Sequence, residues 1–140
     1  MNAVKIYYVE RWFYLHHLKS IAWVIRCLIY LVYNSYIPYT CKIGKGTLFG
    51  YKGMGVVVHD RAIIGENCLS GSGVTIGGRS GHYDVPVIGN NVEIATGSKI
   101  LGPVRIGDNA IIGANAVVIK DIPPNTVWGG VPARLLKCRS

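Results

Sequence analysis

The feature that most constrains this chain is a repeat of six residues that runs from Ile88 to Val118. A large aliphatic residue recurs at every sixth position, and a smaller residue follows four positions after each of the first five. The aliphatic positions are Ile88, Ile94, Ile100, Ile106, Ile112 and Val118, and the smaller ones are Val92, Ser98, Val104, Ala110 and Ala116. This period matches neither the helical period nor the two-residue alternation of an ordinary strand. It is typical of a β-solenoid in which three short strands form one triangular coil.

The repeat predicts an all-β fold, a parallel β-helix whose aliphatic side chains fill a triangular interior. Glycines such as Gly89 and Gly107 are expected at the corners, where the chain turns sharply. Towards the N-terminus the repeat begins weakly at Ile43, and Ser70 puts a polar side chain in an interior position. The pattern alone gives no reason for that serine.

Two interruptions break the repeat. Between Phe49 and Val58 the spacing is nine instead of six, so residues 51–55 must bulge. Between Ile76 and Ile88 twelve residues stand where six would serve. A solenoid accommodates such an insertion as a loop that projects from a corner, and loops on a rigid scaffold are where sites are usually built.

The division of the chain follows from this pattern. We predict an N-terminal helical segment over residues 1–40 and a β-helix domain over residues 41–140. The β-helix domain carries a protruding loop at residues 77–87, and its basic end, Arg134 to Arg139, is expected to cap the open coil.

The apolar run from Ile21 to Tyr33 predicts an amphipathic helix. Lys19, Arg26 and Tyr33 fall on one narrow stripe of that helix and leave a wide apolar surface. The surface consists of Ile21, Ile25, Leu28, Ile29 and Val32. The run is too short to span a membrane, and the arginine at its middle argues against a signal peptide. Two interpretations of the apolar surface stay open: packing against the solenoid or a sister subunit, and peripheral contact with a bilayer.

Composition limits the partners and the compartment. The chain has 140 residues, which fits one domain, and its net charge of +8 favours an anionic partner. Charge alone leaves nucleic acid, a membrane surface and a phosphorylated small molecule open. The four cysteines have no C-x-x-C spacing, so we interpret them as reduced thiols of a cytosolic protein.

Two histidines are the candidate catalytic residues. Gly77, at the root of the loop, follows His59 by eighteen residues, so the two positions are expected to stack in adjacent strands. His82 lies five residues further along the loop and can fold back over His59. A histidine here suits a general base that takes a proton from an attacking hydroxyl, with the backbone amides of Gly77 and Gly78 as oxyanion donors. The alternative is two histidines without a joint role.

Three motifs accompany the repeat: the loop Gly77-Gly78-Arg79-Ser80-Gly81-His82, the stretch Ile112-Gly113-Ala114-Asn115-Ala116, and the ending Gly129-Gly130-Val131-Pro132-Ala133-Arg134. Together they resemble the hexapeptide-repeat acyltransferases, and within them the serine acetyltransferase-like enzymes of surface-polysaccharide biosynthesis. The resemblance covers about residues 41 to 137. It implies a left-handed parallel β-helix, a homotrimer with active sites between subunits, and acetyl-CoA as the acetyl donor. Left-handedness does not follow from the repeat, since crossover connections are normally right-handed.

The resemblance also implies a donor site. The positions that match the acetyl-CoA contacts of the family are Thr96, Ala114, Ile119, Lys120, Arg134 and Lys137. Thr96 and Ala114 are eighteen residues apart and are therefore expected to stack, which would give the pantetheine arm a track of small residues. The basic side chains of this group would meet the nucleotide phosphates. The alternative is an ordinary corner alanine and a solvated basic tail.

One departure from the family affects the acceptor. Serine acetyltransferases carry a catalytic histidine on the coil before the loop, where this sequence has Lys52, and a long helical N-terminal domain. The Gly81-His82 dipeptide instead matches the loop of sugar-modifying relatives. The sequence therefore favours acetyl transfer to a sugar hydroxyl in capsule, exopolysaccharide or O-antigen biosynthesis, with serine as the alternative acceptor. If neither histidine is the base, Asp60, Asp84 or Lys52 takes that role.

Two other classes of function compete. A carbonic anhydrase on the same solenoid needs three histidines for zinc, and the solenoid has two, so we expect no metal. A non-catalytic solenoid that serves as a binding module would need no histidine-bearing loop. We expect a cytoplasmic enzyme, peripheral at the inner face of the membrane if the helix touches lipid, with no nucleic-acid partner.

Overall fold

The computed structural model describes residues 1–140. Two α-helices, α1 (Ala3–Leu15) and α2 (Lys19–Tyr33), precede the solenoid. Its strands are β1 (Lys42–Ile43), β2 (Leu48–Phe49), β3 (Val57–Val58), β4 (Ile63–Ile64), β5 (Leu69–Ser70), β6 (Thr75–Gly77), β7 (Val87–Ile88), β8 (Glu93–Ile94), β9 (Lys99–Leu101), β10 (Arg105–Ile106), β11 (Ile111–Ile112), β12 (Val117–Val118), β13 (Thr126–Gly129) and β14 (Arg134–Cys138).

The strands form the three faces of a left-handed parallel β-helix, as predicted, with about four coils. The first face has the order β1-β4-β7-β10, the second β2-β5-β8-β11-β13-β14, and the third β3-β6-β9-β12. All pairings are parallel except that of β14, which returns antiparallel to β13. Because each strand from β4 to β12 lies above the strand three earlier in sequence, residues in the same position of successive coils form columns.

The registers locate both interruptions. On the third face Val57 pairs with Thr75 and Lys99 with Val117, eighteen residues apart in each case. The pairing of Thr75 with Lys99 spans twenty-four residues, which accounts for the inserted loop. On the second face the pairing of Leu48 with Leu69 spans twenty-one, because the bulge adds three residues. The bulge takes the form of a 3₁₀ turn, Gly50–Gly53.

The interior is the predicted column of aliphatic residues, and it also explains Ser70. In the second face this buried serine lies between Phe49 below and Ile94 above. Its hydroxyl donates a hydrogen bond to the carbonyl of Gly71 at 3.2 Å. A small side chain next to the bulky Phe49 keeps the interior filled without crowding, and the hydrogen bond satisfies the buried hydroxyl.

Asparagines, which the sequence reasoning overlooked, form the corner between the first and second faces. Asn67, Asn91, Asn109 and Asn125 all have a positive φ there. Each backbone N–H donates to a carbonyl of the preceding coil, for example Asn91 to Glu66 at 2.9 Å. Asparagine tolerates the left-handed conformation better than other residues with a side chain.

The helix α1 closes the open end of the first coil. Ala3, Val4 and Tyr7 are fully buried and belong to the same apolar cluster as the solenoid interior. The Tyr7 hydroxyl donates to the carbonyl of Cys41, and the Tyr8 hydroxyl to that of Gly44, both at 2.5 Å. The helix thereby satisfies backbone carbonyls that the first coil leaves unpaired.

The orientation of α2 agrees only in part with the predicted polar stripe. Arg26 points inward, and its guanidinium lies 5.6 Å from the ring centroids of both Tyr36 and Tyr39. Of the five apolar residues predicted to need cover, Ile29 is buried and Ile25 is partly buried, whereas Ile21, Leu28 and Val32 are exposed. The arginine faces the protein because the rings of Tyr36 and Tyr39 attract its cation there, and its charge acts on the buried carboxyl of Glu10 without a hydrogen bond. Neither helix has the length and apolarity that crossing a bilayer requires.

All four cysteines are free thiols. Cys41 is buried and its thiol donates to the carbonyl of Pro38 at 3.1 Å, while that of Cys68 donates to Gly89 at the same distance. Burial raises the pKa of Cys41 to about 12 and raises that of Cys68 as well, so both thiols stay protonated near neutral pH.

Candidate functional site

The corner between the third and first faces carries both candidate histidines, and we call it the loop corner. It comprises residues 59–62, 78–86, 102–104 and 119–121 of successive coils. His59 follows β3 directly, and its backbone N–H donates to the carbonyl of Ile76 at 2.8 Å. This bond confirms the predicted stacking of His59 beside Gly77. The imidazole of His59 lies over Gly78, the residue after Gly77. A Cβ added to Gly78 would lie 3.4 Å from Cδ2 and 3.6 Å from Nε2 of His59.

The tautomer of His59 follows from its contacts. The backbone N–H of Arg61 donates to Nδ1 of His59 at 3.1 Å, so Nδ1 acts as an acceptor. In the neutral ring the proton is then on Nε2. This nitrogen, on the side of Gly78, is a hydrogen-bond donor and has no free lone pair with which to accept a proton.

His82 is exposed on the loop, where its backbone N–H closes a turn onto the carbonyl of Arg79 at 3.0 Å. Gly81 precedes it with φ +84°, which a glycine adopts without strain. No hydrogen bond joins the two imidazoles, so the predicted fold-back of His82 over His59 is not made here. The structure places both histidines at one corner but does not join them by a hydrogen bond.

Gly77 and Gly78, the expected oxyanion donors, differ in position. Gly77 is the last residue of β6, it pairs with Leu101, and its carbonyl accepts from the N–H of Gly102 at 3.0 Å. Gly78 lies outside the strand and is exposed. Of the two amides, that of Gly78 is therefore the better candidate for a developing oxyanion.

Two arginines, Arg61 at the loop corner and Arg105 at the start of β10 beside it, are functional candidates that the sequence reasoning missed. The guanidinium of Arg61 lies 4.1 Å from the ring centroid of Tyr83 and donates to the carbonyl of the same residue. Arg61 and Arg105 border a cavity of about 270 Å³ that opens between three coils, and Asp84 lies at its edge. The other lining residues are Val85, Val87, Pro103 and Val104. The registers place Arg61 in the column of Val85 and Pro103, and Arg105 two residues further on, so the six-residue repeat alone does not pair the two arginines.

The alternative bases have separate surroundings. Asp60 accepts a hydrogen bond from the Tyr36 hydroxyl at 2.9 Å, which together with burial raises the pKa of Tyr36. Asp84 lines the arginine cavity. Lys52 is exposed on the 3₁₀ turn at the opposite corner, and both it and Tyr51 have a positive φ, of 63° and 51°. Two consecutive left-handed residues with long side chains represent local strain of the kind found at functional sites.

Thr96 and Ala114 stack at the corner between the second and third faces, which we call the small-residue corner. The N–H of Asn115 donates to the carbonyl of Thr96 at 2.9 Å, and that of Gly97 donates to Ser72 at 3.0 Å. The predicted track of small residues thus exists and includes Ser72. Ile119 and Lys120 lie elsewhere, because they follow β12 and belong to the loop corner.

Arg134 and Lys137 project from the same side of β14. A bulge in its pairing with β13 sets Arg134 opposite Gly129 and Lys137 opposite Val127. Without the bulge, residues three apart would point to opposite faces of the sheet. Both side chains are exposed and lie on the outer surface of the second face. The predicted donor residues therefore occupy three places on one chain, and a single chain does not bring all of them together.

The chain contains no group of three His, Cys, Asp or Glu side chains arranged to hold a metal ion.

Comparison with known proteins identifies the scaffold. Residues 86–120 match the bacterial transferase hexapeptide family, six repeats. The chain belongs to the hexapeptide-repeat transferase superfamily. This hexapeptide-repeat protein is 36% identical over 138 residues to a serine acetyltransferase of Synechococcus elongatus, a match that covers 96% of the chain and 56% of the relative.

Solved structures agree across the helices as well as the solenoid. A soybean serine acetyltransferase complexed with serine is 37% identical with a TM-score of 0.88, and the match covers 96% of this chain and 56% of that one. A serine acetyltransferase of Brucella abortus in complex with coenzyme A is 28% identical with a TM-score of 0.93, covering 99% and 56%. The hexapeptide-repeat protein thus spans just over half the length of these relatives. They are serine acetyltransferases, so the narrower likeness to polysaccharide-modifying enzymes gains no support.

Proposed function

We propose that this hexapeptide-repeat protein is an acetyl-CoA-dependent O-acetyltransferase. The observation that carries the proposal is the similarity to serine acetyltransferases with TM-scores of 0.88 and 0.93, over 96% and 99% of the chain. One of those structures holds serine and the other coenzyme A. In the reaction, the acceptor oxygen forms a bond to the acetyl carbon while the bond to the CoA sulfur breaks. The hydroxyl proton passes to a base and then to the departing thiolate.

Serine is the acceptor that the relatives favour over a sugar hydroxyl. The cavity at the loop corner supports this choice, because its charges complement a free amino acid. The guanidinium groups of Arg61 and Arg105 suit the carboxylate, and the carboxylate of Asp84 suits the ammonium group. A neutral sugar has neither charge to offer. The cavity of about 270 Å³ has room for an amino acid of this size.

The two histidines take different roles in this proposal. His59 carries its proton on Nε2, so it donates a hydrogen bond to the acceptor or to the developing oxyanion beside Gly78. His82 has no side-chain hydrogen bond and is the base, reaching the acceptor hydroxyl by movement of the loop. For the donor, we propose that acetyl-CoA lies along Ser72, Thr96 and Ala114 between two copies of the chain.

The test is transfer of labelled acetyl from acetyl-CoA to L-serine, with a hexose as the second acceptor. We expect O-acetylserine, and His82→Ala should lower turnover by about 100-fold or more while coenzyme A binding is retained. Arg105→Gln should raise the KM for serine about tenfold with little change in kcat, because it removes one charge-assisted contact. Lys45→Gln, an exposed substitution away from the loop corner, is the matched control.

Acetylation of the hexose but not of serine would show that the acceptor is a sugar, while acetyl-CoA would stay the donor. Normal turnover of both His59→Ala and His82→Ala would move the base to Asp60, Asp84 or Lys52. If the protein neither binds coenzyme A nor acetylates either acceptor, the proposed enzymatic activity is refuted. The remaining function is then that of a non-catalytic binding module.

A further inference from the structure

The surface that α2 turns away from the solenoid is apolar along its whole length. Its exposed large side chains are Ile21, Trp23, Val24, Leu28, Tyr30, Leu31 and Val32. Leu31 is 76% and Val32 69% exposed, which is far above the level of a core-facing helix. Arg26, the only charged residue between Ile21 and Val32, faces inward over two tyrosine rings.

Exposed apolar side chains also lie on α1 and on its connection to α2. Val9, Trp12, Leu15 and Leu18 are between 43% and 57% exposed. Contiguous apolar surface of this kind marks a site of protein or membrane interaction. The presence of tryptophan and tyrosine among the exposed residues is typical of the zone between lipid headgroups and acyl chains.

The exposed charges of the hairpin itself, residues 3–33, are all basic, and the exposed acid Asp60 lies outside it, where it accepts a hydrogen bond from Tyr36. Glu10 is the only acidic residue among the first 59, and it is fully buried. The same stretch contains seven basic residues, Lys5, Arg11, Lys19, Arg26, Lys42, Lys45 and Lys52. Lys5 and Lys19 are exposed on the two helices, and no exposed carboxylate of this stretch opposes them. An anionic surface complements this distribution.

We propose that the N-terminal hairpin, residues 3–33, docks on an anionic lipid bilayer, with α2 lying in the plane of the interface. The apolar side chains would enter the acyl boundary, and the lysines would contact lipid phosphates. A contact between the hairpins of two copies would offer their exposed lysines no exposed acid of either hairpin as a partner. Phospholipid headgroups supply the missing negative charge.

The test is co-sedimentation of the full chain with vesicles of phosphatidylcholine alone and of phosphatidylcholine with about one third phosphatidylglycerol. We expect binding to the anionic vesicles, weakened by salt because exposed charges are screened. Leu31→Ser with Val32→Ser should reduce the partition coefficient by at least about tenfold, since both side chains lose their transfer into lipid. Leu136→Ser, which alters a leucine 63% exposed at the far end of the solenoid, should leave it unchanged.

A second pair of variants tests the electrostatic contribution to vesicle binding. Lys5→Gln with Lys19→Gln should reduce binding by about fivefold per lysine, the factor that corresponds to about 1 kcal/mol per cation near an anionic membrane. Lys120→Gln with Lys137→Gln removes the same charge from the other end and should have little effect on vesicle binding. Circular dichroism of each variant verifies the fold.

Three outcomes would overturn the proposal: equal binding to neutral and anionic vesicles, no binding to either, or equal losses in the hairpin and control variants. Sedimentation velocity without lipid distinguishes a membrane-binding hairpin from one that joins two copies of the chain. If the serine variants change the oligomeric state and leave vesicle binding intact, the hairpin is an interface between copies of the chain.

Discussion

The carboxyl of Glu10 makes the stability of this protein depend on pH in an unusual direction. The side chain is fully buried between α1 and the first coil, and neither of its oxygens has a hydrogen-bond partner. Burial raises its pKa from 4.5 to about 8, an effect that the guanidinium of Arg26 offsets only in part. Cys41, the other titratable group nearby, keeps its proton over this range because its pKa is about 12.

The sign and size of the pH effect on the free energy of unfolding follow from the linkage between proton binding and folding. A carboxyl whose pKa is higher in the folded state binds its proton more tightly there, so its contribution is complete below pH 4.5 and is lost as the pH rises through 8. Each unit of difference is worth about 1.4 kcal/mol, so the loss approaches about 5 kcal/mol at pH 9. Glu10→Gln removes the titration and should therefore be more stable than the natural chain at pH 9 by about 3 to 5 kcal/mol.

The measurement is urea unfolding followed by circular dichroism between pH 5 and pH 9, at one fixed chain concentration. Glu66→Gln, which alters an exposed glutamate, is the control and should reproduce the pH dependence of the natural chain. The curves of the natural chain and Glu10→Gln should lie close together near pH 5, separate steadily as the pH rises towards 8, and run parallel above it. Parallel curves across the whole range would refute the reasoning, because they would show that Glu10 is ionised in the folded protein.

Three further predictions concern the donor site, the corners and the strained turn. Arg134→Ala with Lys137→Ala should lower coenzyme A affinity by at least about tenfold in a calorimetric titration, because two cations on one side of β14 are lost. Gly65→Ala should destabilise the fold by more than about 2 kcal/mol, since its new methyl would lie 2.4 Å from a carbonyl oxygen of the next coil, whereas Gly77→Ala meets nothing closer than 3.4 Å. Lys52→Asn should raise stability by about 0.5 to 1 kcal/mol in thermal unfolding, because asparagine tolerates φ 63°.

The fold was predictable because the repeat sets the inward direction of every side chain. Ile88, Ile94 and Ile100 are buried in three different faces, and the same six-residue step brings each next aliphatic residue inward. The two interruptions of this step were also predictable from the sequence. The strand registers of twenty-one and twenty-four residues contain the three and six extra residues that the spacing of the aliphatic positions shows. The handedness came only through the resemblance, because the repeat constrains distances along the chain but not the direction of coiling.

The candidate site was less predictable, because the repeat fixes where a residue lies but not where a polar side chain outside the interior points. Column arithmetic correctly stacked His59 beside Gly77, yet it could not show that Nδ1 of His59 accepts from Arg61. Nor does spacing along a helix show which stripe faces inward. Arg26 faces the protein because Tyr36 and Tyr39 lie beyond the end of its helix, in a segment without a repeat.

The placement of the predicted donor residues bears on how many copies of the chain build one site. Ala114 precedes β12 and Ile119 follows it, so these residues lie on opposite edges of the third face. The loop with His82 belongs to the same edge as Ile119, separated from the track of Thr96 and Ala114 by the width of that face. A thioester held along the track in one chain is therefore remote from the base of the same chain. If the loop corner of a second copy packs against the small-residue corner of the first, base, acceptor cavity and donor track meet across the interface. The homotrimer that the resemblance implies would repeat this contact for every chain in a closed arrangement.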